Sequence, residues 1–75
     1  MPKLPVVSGD KVVKAFSKVG WVAVRQRGSH VIMVRENSVV TLSIPVHRNR
    51  PVKRGTLRDL IRDAGLTVEE FCELL

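Results

Sequence analysis

Seventy-five residues with a hydrophobic fraction of 44% and a single cysteine describe one small globular domain, residues 1–75; the apolar content is too high for a disordered tail, and no internal disulfide can form. No apolar run approaches the roughly 18 residues of a membrane-spanning helix, and the opening MPKLPVV is too short and weakly apolar for a secretion signal, so the expected compartment is the reducing cytoplasm. Charge is uneven: residues 1–58 hold twelve Lys and Arg against two acids, residues 59–75 one Arg against five acids, and a body that basic suits a polyanion, nucleic acid first, unless the charge serves only solubility.

In chain order, the two prolines of residues 1–7 predict an extended arm. Ser8 is a good N-cap and Asp10 suits the first turn of a helix over residues 9–19, where Val12, Val13, Phe16 and Val19 recur at helical spacing and Gly20 follows as the C-terminal stop. Residues 21–27 read as a strand, Gly28-Ser29 as a turn, and residues 30–36 as a second strand whose consecutive Val31, Ile32, Met33 and Val34 leave its inward face ambiguous. Asn37-Ser38 is the expected hairpin turn. A third strand spans residues 39–45, with Val40, Leu42 and Ile44 alternating against Thr41 and Ser43. Residues 46–55 form a basic loop. Thr56 is the expected cap of a helix carrying Leu57, Leu60, Ile61 and Ala64 and stopped by Gly65; Thr67 with Glu70 fits a capping box for a last helix with Phe71, Leu74 and Leu75 apolar. The fold class is α+β in the order α-β-β-β-α-α, an antiparallel three-stranded sheet with the helices on one face.

Four features carry chemistry. Arg48, Arg50, Lys53, Arg54, Arg58 and Arg62 crowd into fifteen residues, with Lys53 and Arg54 just before a helix N-terminus, an arrangement that grips phosphate without reading sequence, or else a solvated loop. Lys11, Lys14 and Lys18 share one helix face, as phosphate contacts or as the wet side of an amphipathic helix. His30 opens a strand behind Gly28 and Ser29, with Arg25 and Arg27 close in sequence. A lone strand-edge histidine is usually structural, but Gly28 permits close backbone approach, Ser29 adds a hydroxyl, and the arginines add positive charge. An imidazole there can take the 2′-hydroxyl proton of RNA or protonate its leaving oxygen, and RNA then supplies its own nucleophile. His47, in the basic loop, is a second acid/base partner, a phosphate contact or an exposed loop residue. No Cys/His cluster has metal spacing, and no cofactor is implied. Trp21 is a base-stacking residue or, at a strand start beside a helix stop, core; Cys72 reads as a small hydrophobe.

GW at 20–21, RGSH at 27–30, IPVH at 44–47 and KRGTLRDLIRDAGLTVEEF at 53–71 resemble the HicA toxins, also called YcfA-like mRNA interferases. The likeness covers nearly the whole chain, with Trp21 standing where Phe is usual. It implies a fold similar to a double-stranded-RNA-binding domain, ribosome-independent cleavage of mRNA, growth arrest and neutralisation by a HicB-type antitoxin; metal independence is expected from the residues themselves, which hold no metal-ligand constellation. It implies catalysis by the histidine of the Gly-Ser-His motif, here His30. The RNA-binding set is then Arg25, Arg27, Gly28, Ser29, His47, Arg48, Arg50, Lys53 and Arg54. Two rivals remain: a non-catalytic RNA-binding module of the same architecture, which needs no imidazole, and a DNA-binding helix-turn-helix from residues 56–64 and 67–75, whose second helix carries the unfavourable Glu69, Glu70 and Glu73.

Overall fold

A computed structural model describes residues 3–48 and 50–75; Met1 and Pro2 of the predicted arm and Asn49 of the basic loop lie outside the described residues. The elements run α1 (Gly9–Ser17), β1 (Val22–Arg27), β2 (His30–Val34), β3 (Thr41–Pro45), α2 (Arg54–Asp63) and α3 (Val68–Glu73), in the predicted order, with the three strands in one antiparallel sheet ordered β1-β2-β3.

Helix α1 starts where Ser8 places it, its hydroxyl accepting from the Lys11 amide at 3.4 Å, with Asp10 in the first turn. It ends two residues before the predicted boundary. The Gly20 amide donates to the Ser17 carbonyl and the Trp21 amide to the Phe16 carbonyl, a paired closure that Gly20 makes possible by its φ of +96°. Gly65, φ +78°, closes α2 in the same way, through Gly65 to Arg62 and Leu66 to Ile61. The capping box of Thr67 and Glu70 forms as expected at α3.

Strand β1 starts one residue later than read, at Val22, and three further boundaries differ from expectation by two residues or more. Helix α2 begins at Arg54 rather than after Thr56: its N-cap is Lys53, which makes no side-chain cap bond. The preceding chain is fixed from outside the helix, where the Val52 amide donates to the Val7 carbonyl at 2.8 Å and Ser8 bridges Pro51. The same bonds dock the N-terminal arm, burying Leu4 and Val7. Strands β2 and β3 are each two residues shorter than read, because the turn between them runs from Arg35 to Ser38, closed by the Ser38 amide on the Arg35 carbonyl, with Asn37 at φ 65°. The predicted Asn37-Ser38 hairpin is therefore a wider connection. Val40 lies outside β3 and is exposed, and only Leu42 and Ile44 of the expected alternation reach the core.

The register resolves the face of β2. Met33 lies opposite Leu42 and Val31 opposite Ile44, on the face covered by helices; Ile32 lies opposite Ser43 and His30 opposite Pro45, on the uncovered face. The core joins Met33, Leu42 and Ile44 to Val12, Ala15 and Phe16 of α1, Leu57, Leu60 and Ile61 of α2, and Phe71 of α3, whose ring tilts against Phe16 with centroids 5.5 Å apart. Trp21 is core, with the Arg35 guanidinium 4.8 Å from its ring centroid. Cys72 is half-buried. Among the described residues no helix is long and apolar enough to cross a membrane.

Gly9 fixes α1 against the end of β3. A Cβ there would collide with the Pro45 carbonyl oxygen and lie 2.8 Å from Val46 Cα. Gly9→Ala is expected to destabilise the fold by about 1–3 kcal/mol, read as a lowered midpoint in thermal or denaturant unfolding. Gly55→Ala is the control: it lies in α2 with nothing within 4 Å of its Cβ position, and should gain about 0.5 kcal/mol. Equal effects of the two changes would remove the contact from the account.

Candidate active site

The β1–β2 connection is a two-residue hairpin, Gly28-Ser29, closed by the pair Arg27 and His30. Gly28 has a φ of +59° and Ser29 does not share it, the pattern of a turn that needs glycine first. The Gln26 side-chain amide braces the turn by donating to the Gly28 carbonyl at 3.0 Å. The requirement for Gly28 is thus conformational, and the space over it is open.

Strand β1 carries a bulge between Ala23 and Arg25. Ala23 lies opposite Met33, on the helix-covered face. Strict alternation from Ala23 would send Arg25 and Arg27 to that same face. Val24 is the extra residue that resets the alternation, so Arg25 lies opposite Ile32 and Arg27 opposite His30, on the uncovered face. The bulge is what brings the arginines to the histidine.

The ladder between β2 and β3 continues past the strand ends: the Val46 amide donates to the Ser29 carbonyl at 2.6 Å. This carries His47 to His30, with ring centroids 6.4 Å apart and planes at 80°. Both histidines are exposed. Beside them Arg27, His30, Ile32 and Ser43 line an open depression of about 270 Å³. Ile32 and Ser43 were not among the expected site residues; once β2 and β3 are set in register, Ser43 on the wet face of its strand is the signal that finds them.

Of the expected set, the structure brings together Arg25, Arg27, Gly28, Ser29, His30 and His47. Arg48 and Arg50 continue the segment after His47, Lys53 caps α2 and Arg54 is its first residue; all four are exposed, and none lines the depression. Among the described residues the ion pairs are those of Arg62 with Asp59 and Asp63, so Arg25, Arg27, Arg48, Arg50, Lys53 and Arg54 are exposed and without an acidic partner there. Lys11, Lys14 and Lys18 border a separate groove floored by Val7, Leu74 and Leu75, where the Lys18 ammonium donates to the Leu74 carbonyl at 2.7 Å. Among the described residues no three His, Cys, Asp or Glu gather as metal ligands. The helix-turn-helix reading fails on α3, which has six residues and exposes Glu69, Glu70 and Glu73.

The family model described as HicA toxin of bacterial toxin-antitoxin matches residues 9–66, from the start of α1 to the turn after α2. The chain belongs to the HicA toxin family. It is a toxin of a toxin–antitoxin system, of a family that acts on RNA and is paired with an antitoxin. No curated protein matches the chain. In this HicA toxin the matched span contains the hairpin, both histidines and the basic segment after them.

With RNA as the polyanion, replacing Arg48, Arg50, Lys53 and Arg54 together by Ala should weaken binding alike across unrelated sequences. The slope of log affinity against log salt should flatten by up to about 3 for a single strand. Titrations at several salt concentrations read this; an unchanged slope would take the segment out of the interface.

Proposed function

We propose that this HicA toxin, acting as one domain over residues 1–75, is a metal-independent endoribonuclease of mRNA with His30 as its catalytic group and a HicB-type antitoxin as its partner. The observation that carries the reading is the position of His30: exposed on the sheet face left free by the helices, opposite Arg27 in the ladder and beside His47. The His30 imidazole moves a proton at the 2′-hydroxyl or the leaving oxygen. As the O2′–P bond forms and the P–O5′ bond breaks, the products are a 2′,3′-cyclic phosphate and a 5′-hydroxyl. Arg25 and Arg27 hold the scissile phosphate and offset the charge that grows on it. Gly28 and Ser29 form the turn that presents the histidine. Following His47 in the chain, Arg48, Arg50, Lys53 and Arg54 continue the grip along the backbone, where the N-terminal amides of α2 favour an anion. The RNA supplies the nucleophile, so the scheme requires no metal-bound hydroxide.

The test pairs stability with activity. His30→Ala should leave the melting temperature and most RNA affinity nearly unchanged, because the side chain is exposed and phosphate contacts carry binding. Cleavage should fall by about 10²–10⁴. Cleavage by the unaltered protein should survive excess EDTA and leave cyclic or 3′-phosphate ends on the fragments. A His30→Ala protein that cuts at the normal rate ends the assignment; 3′-hydroxyl ends would point to water or a metal-bound hydroxide as the nucleophile.

A HicB-type antitoxin blocks such a site most directly by covering His30 and its arginines with acidic or apolar groups that replace phosphate. Hydrogen exchange on the complex should then show protection over residues 25–35. Protection confined to α3 would mean that inhibition is indirect.

A further inference from the structure

Cleavage by the 2′-oxygen needs two proton transfers. One proton leaves O2′ as its bond to phosphorus forms, and one must reach O5′ as the P–O5′ bond breaks. These oxygens lie on opposite sides of the phosphorus, so a single imidazole is poorly placed for both. The chain has two histidines. They come from separate segments, and the fold spends specific contacts to join them: the His30–Pro45 pair at the end of the ladder, then the bond from the Val46 amide to the Ser29 carbonyl at 2.6 Å. Gly9 packs on the same Pro45-Val46 unit, with no room for a side chain. Two residues that only touched RNA phosphates would need no such common support.

The pair has the right form for a shared substrate. Both rings are exposed, edge-on at 80° with centroids 6.4 Å apart. A phosphate seated across them can place one ester oxygen near each ring, within the hydrogen-bond reach of about 3 Å that proton transfer needs. Among the described residues neither imidazole has a hydrogen-bond or ion-pair partner, so neither is committed to holding the fold.

We infer that His47 is the second catalytic residue of this site, exchanging a proton with the same scissile phosphodiester as His30; this rests on the reading of the chain as an RNA-cleaving toxin. One imidazole takes the O2′ proton while the other, entering as imidazolium, delivers its proton to O5′. The two rings end with their protonation states exchanged and are reset by solvent. No further reactant is needed. Arg27, across the ladder from His30, carries positive charge toward the non-bridging oxygens.

Single-turnover cleavage of a defined RNA, measured across pH for the unaltered protein, His30→Ala, His47→Ala and His47→Arg, tests this. The unaltered protein should give a bell-shaped profile, the mark of one acid and one base. His47→Ala should lower the maximal rate by about 10²–10⁴ and remove one limb of the bell, with little change in KM and an unchanged melting temperature. His47→Arg keeps a phosphate contact but cannot move a proton at these pH values, so it should be as slow as His47→Ala. An RNA whose scissile 5′-oxygen is replaced by sulfur has a leaving group that needs no acid. Rescue of His47→Ala on it makes His47 the acid, and loss of the opposite limb without rescue makes it the base; either supports the inference. It is overturned if His47→Arg restores the rate, or if His47→Ala raises KM and keeps the full bell, since His47 is then a phosphate contact. Those outcomes leave the proposed activity standing. Only failure of the unaltered protein to cut RNA, or normal cutting by His30→Ala, defeats that reading itself.

Discussion

Five cross-strand pairs, from His30 with Pro45 to Val34 with Thr41, set β2 against β3, and the rest of the molecule is arranged around that register. It decides which residues of an almost uniformly apolar strand turn inward. Met33 and Val31 meet Leu42 and Ile44 under the helices, which leaves His30 and Ile32 on the open face. A slip of one residue would bury the histidine and expose Met33, so the hydrophobic effect and the site enforce the same alignment. Beyond the last pair, the Ser29–Val46 bond extends that alignment into the segments that carry the two imidazoles. The site is held by backbone pairing, and its exposed side chains take no part in the core.

Covering one face of a three-stranded sheet and leaving the other bare separates two tasks. The helices α1, α2 and α3 supply the apolar partners of the sheet, while the free face holds Arg25, Arg27, His30 and Ser43. The C-terminal acids follow the same division, although α1 and α2 also carry Lys11, Lys14, Arg54 and Arg58. The acids of the C-terminal part lie on α2 and α3, where Asp59 and Asp63 engage Arg62, and no acid pairs with the cations around the histidines among the described residues. Those cations repel one another in the free protein, a cost that a bound polyanion or an acidic protein surface relieves.

Much of the scaffold was legible in the sequence because its signals are local. Leu57, Leu60, Ile61 and Ala64 mark the inner face of α2 by spacing alone, Gly20 and Gly65 mark two helix ends by their freedom to take positive φ, and Thr67 with Glu70 marks the start of α3. The candidate histidine was legible too, since a two-residue Gly-Ser turn presents it. What was not legible depends on distant parts of the chain. The start of α2 at Arg54 has no capping side chain; it is set by the arm docked through Val7 and Ser8. The turn from Arg35 to Ser38 rests on Asn37 in a left-handed conformation that Asn tolerates but does not announce. The bulge at Val24 has no glycine to mark it, and the closeness of His47 to His30 follows only from the β2–β3 pairing.

The bulge has a consequence for how molecules of this protein meet one another. Strand β1 is an outer strand of the sheet, every residue of it is exposed, and Val22 and Val24 offer bare apolar surface, 58% and 54% accessible. A regular strand of that kind is a template on which a neighbouring chain can add its own, the first step toward stacking and aggregation. The extra residue breaks the even row of amides and carbonyls midway and bends the strand, and the arginines it turns outward place like charges where a second copy would have to lie. One inserted valine thus makes this open edge of the sheet a poorer template for a second copy of the chain.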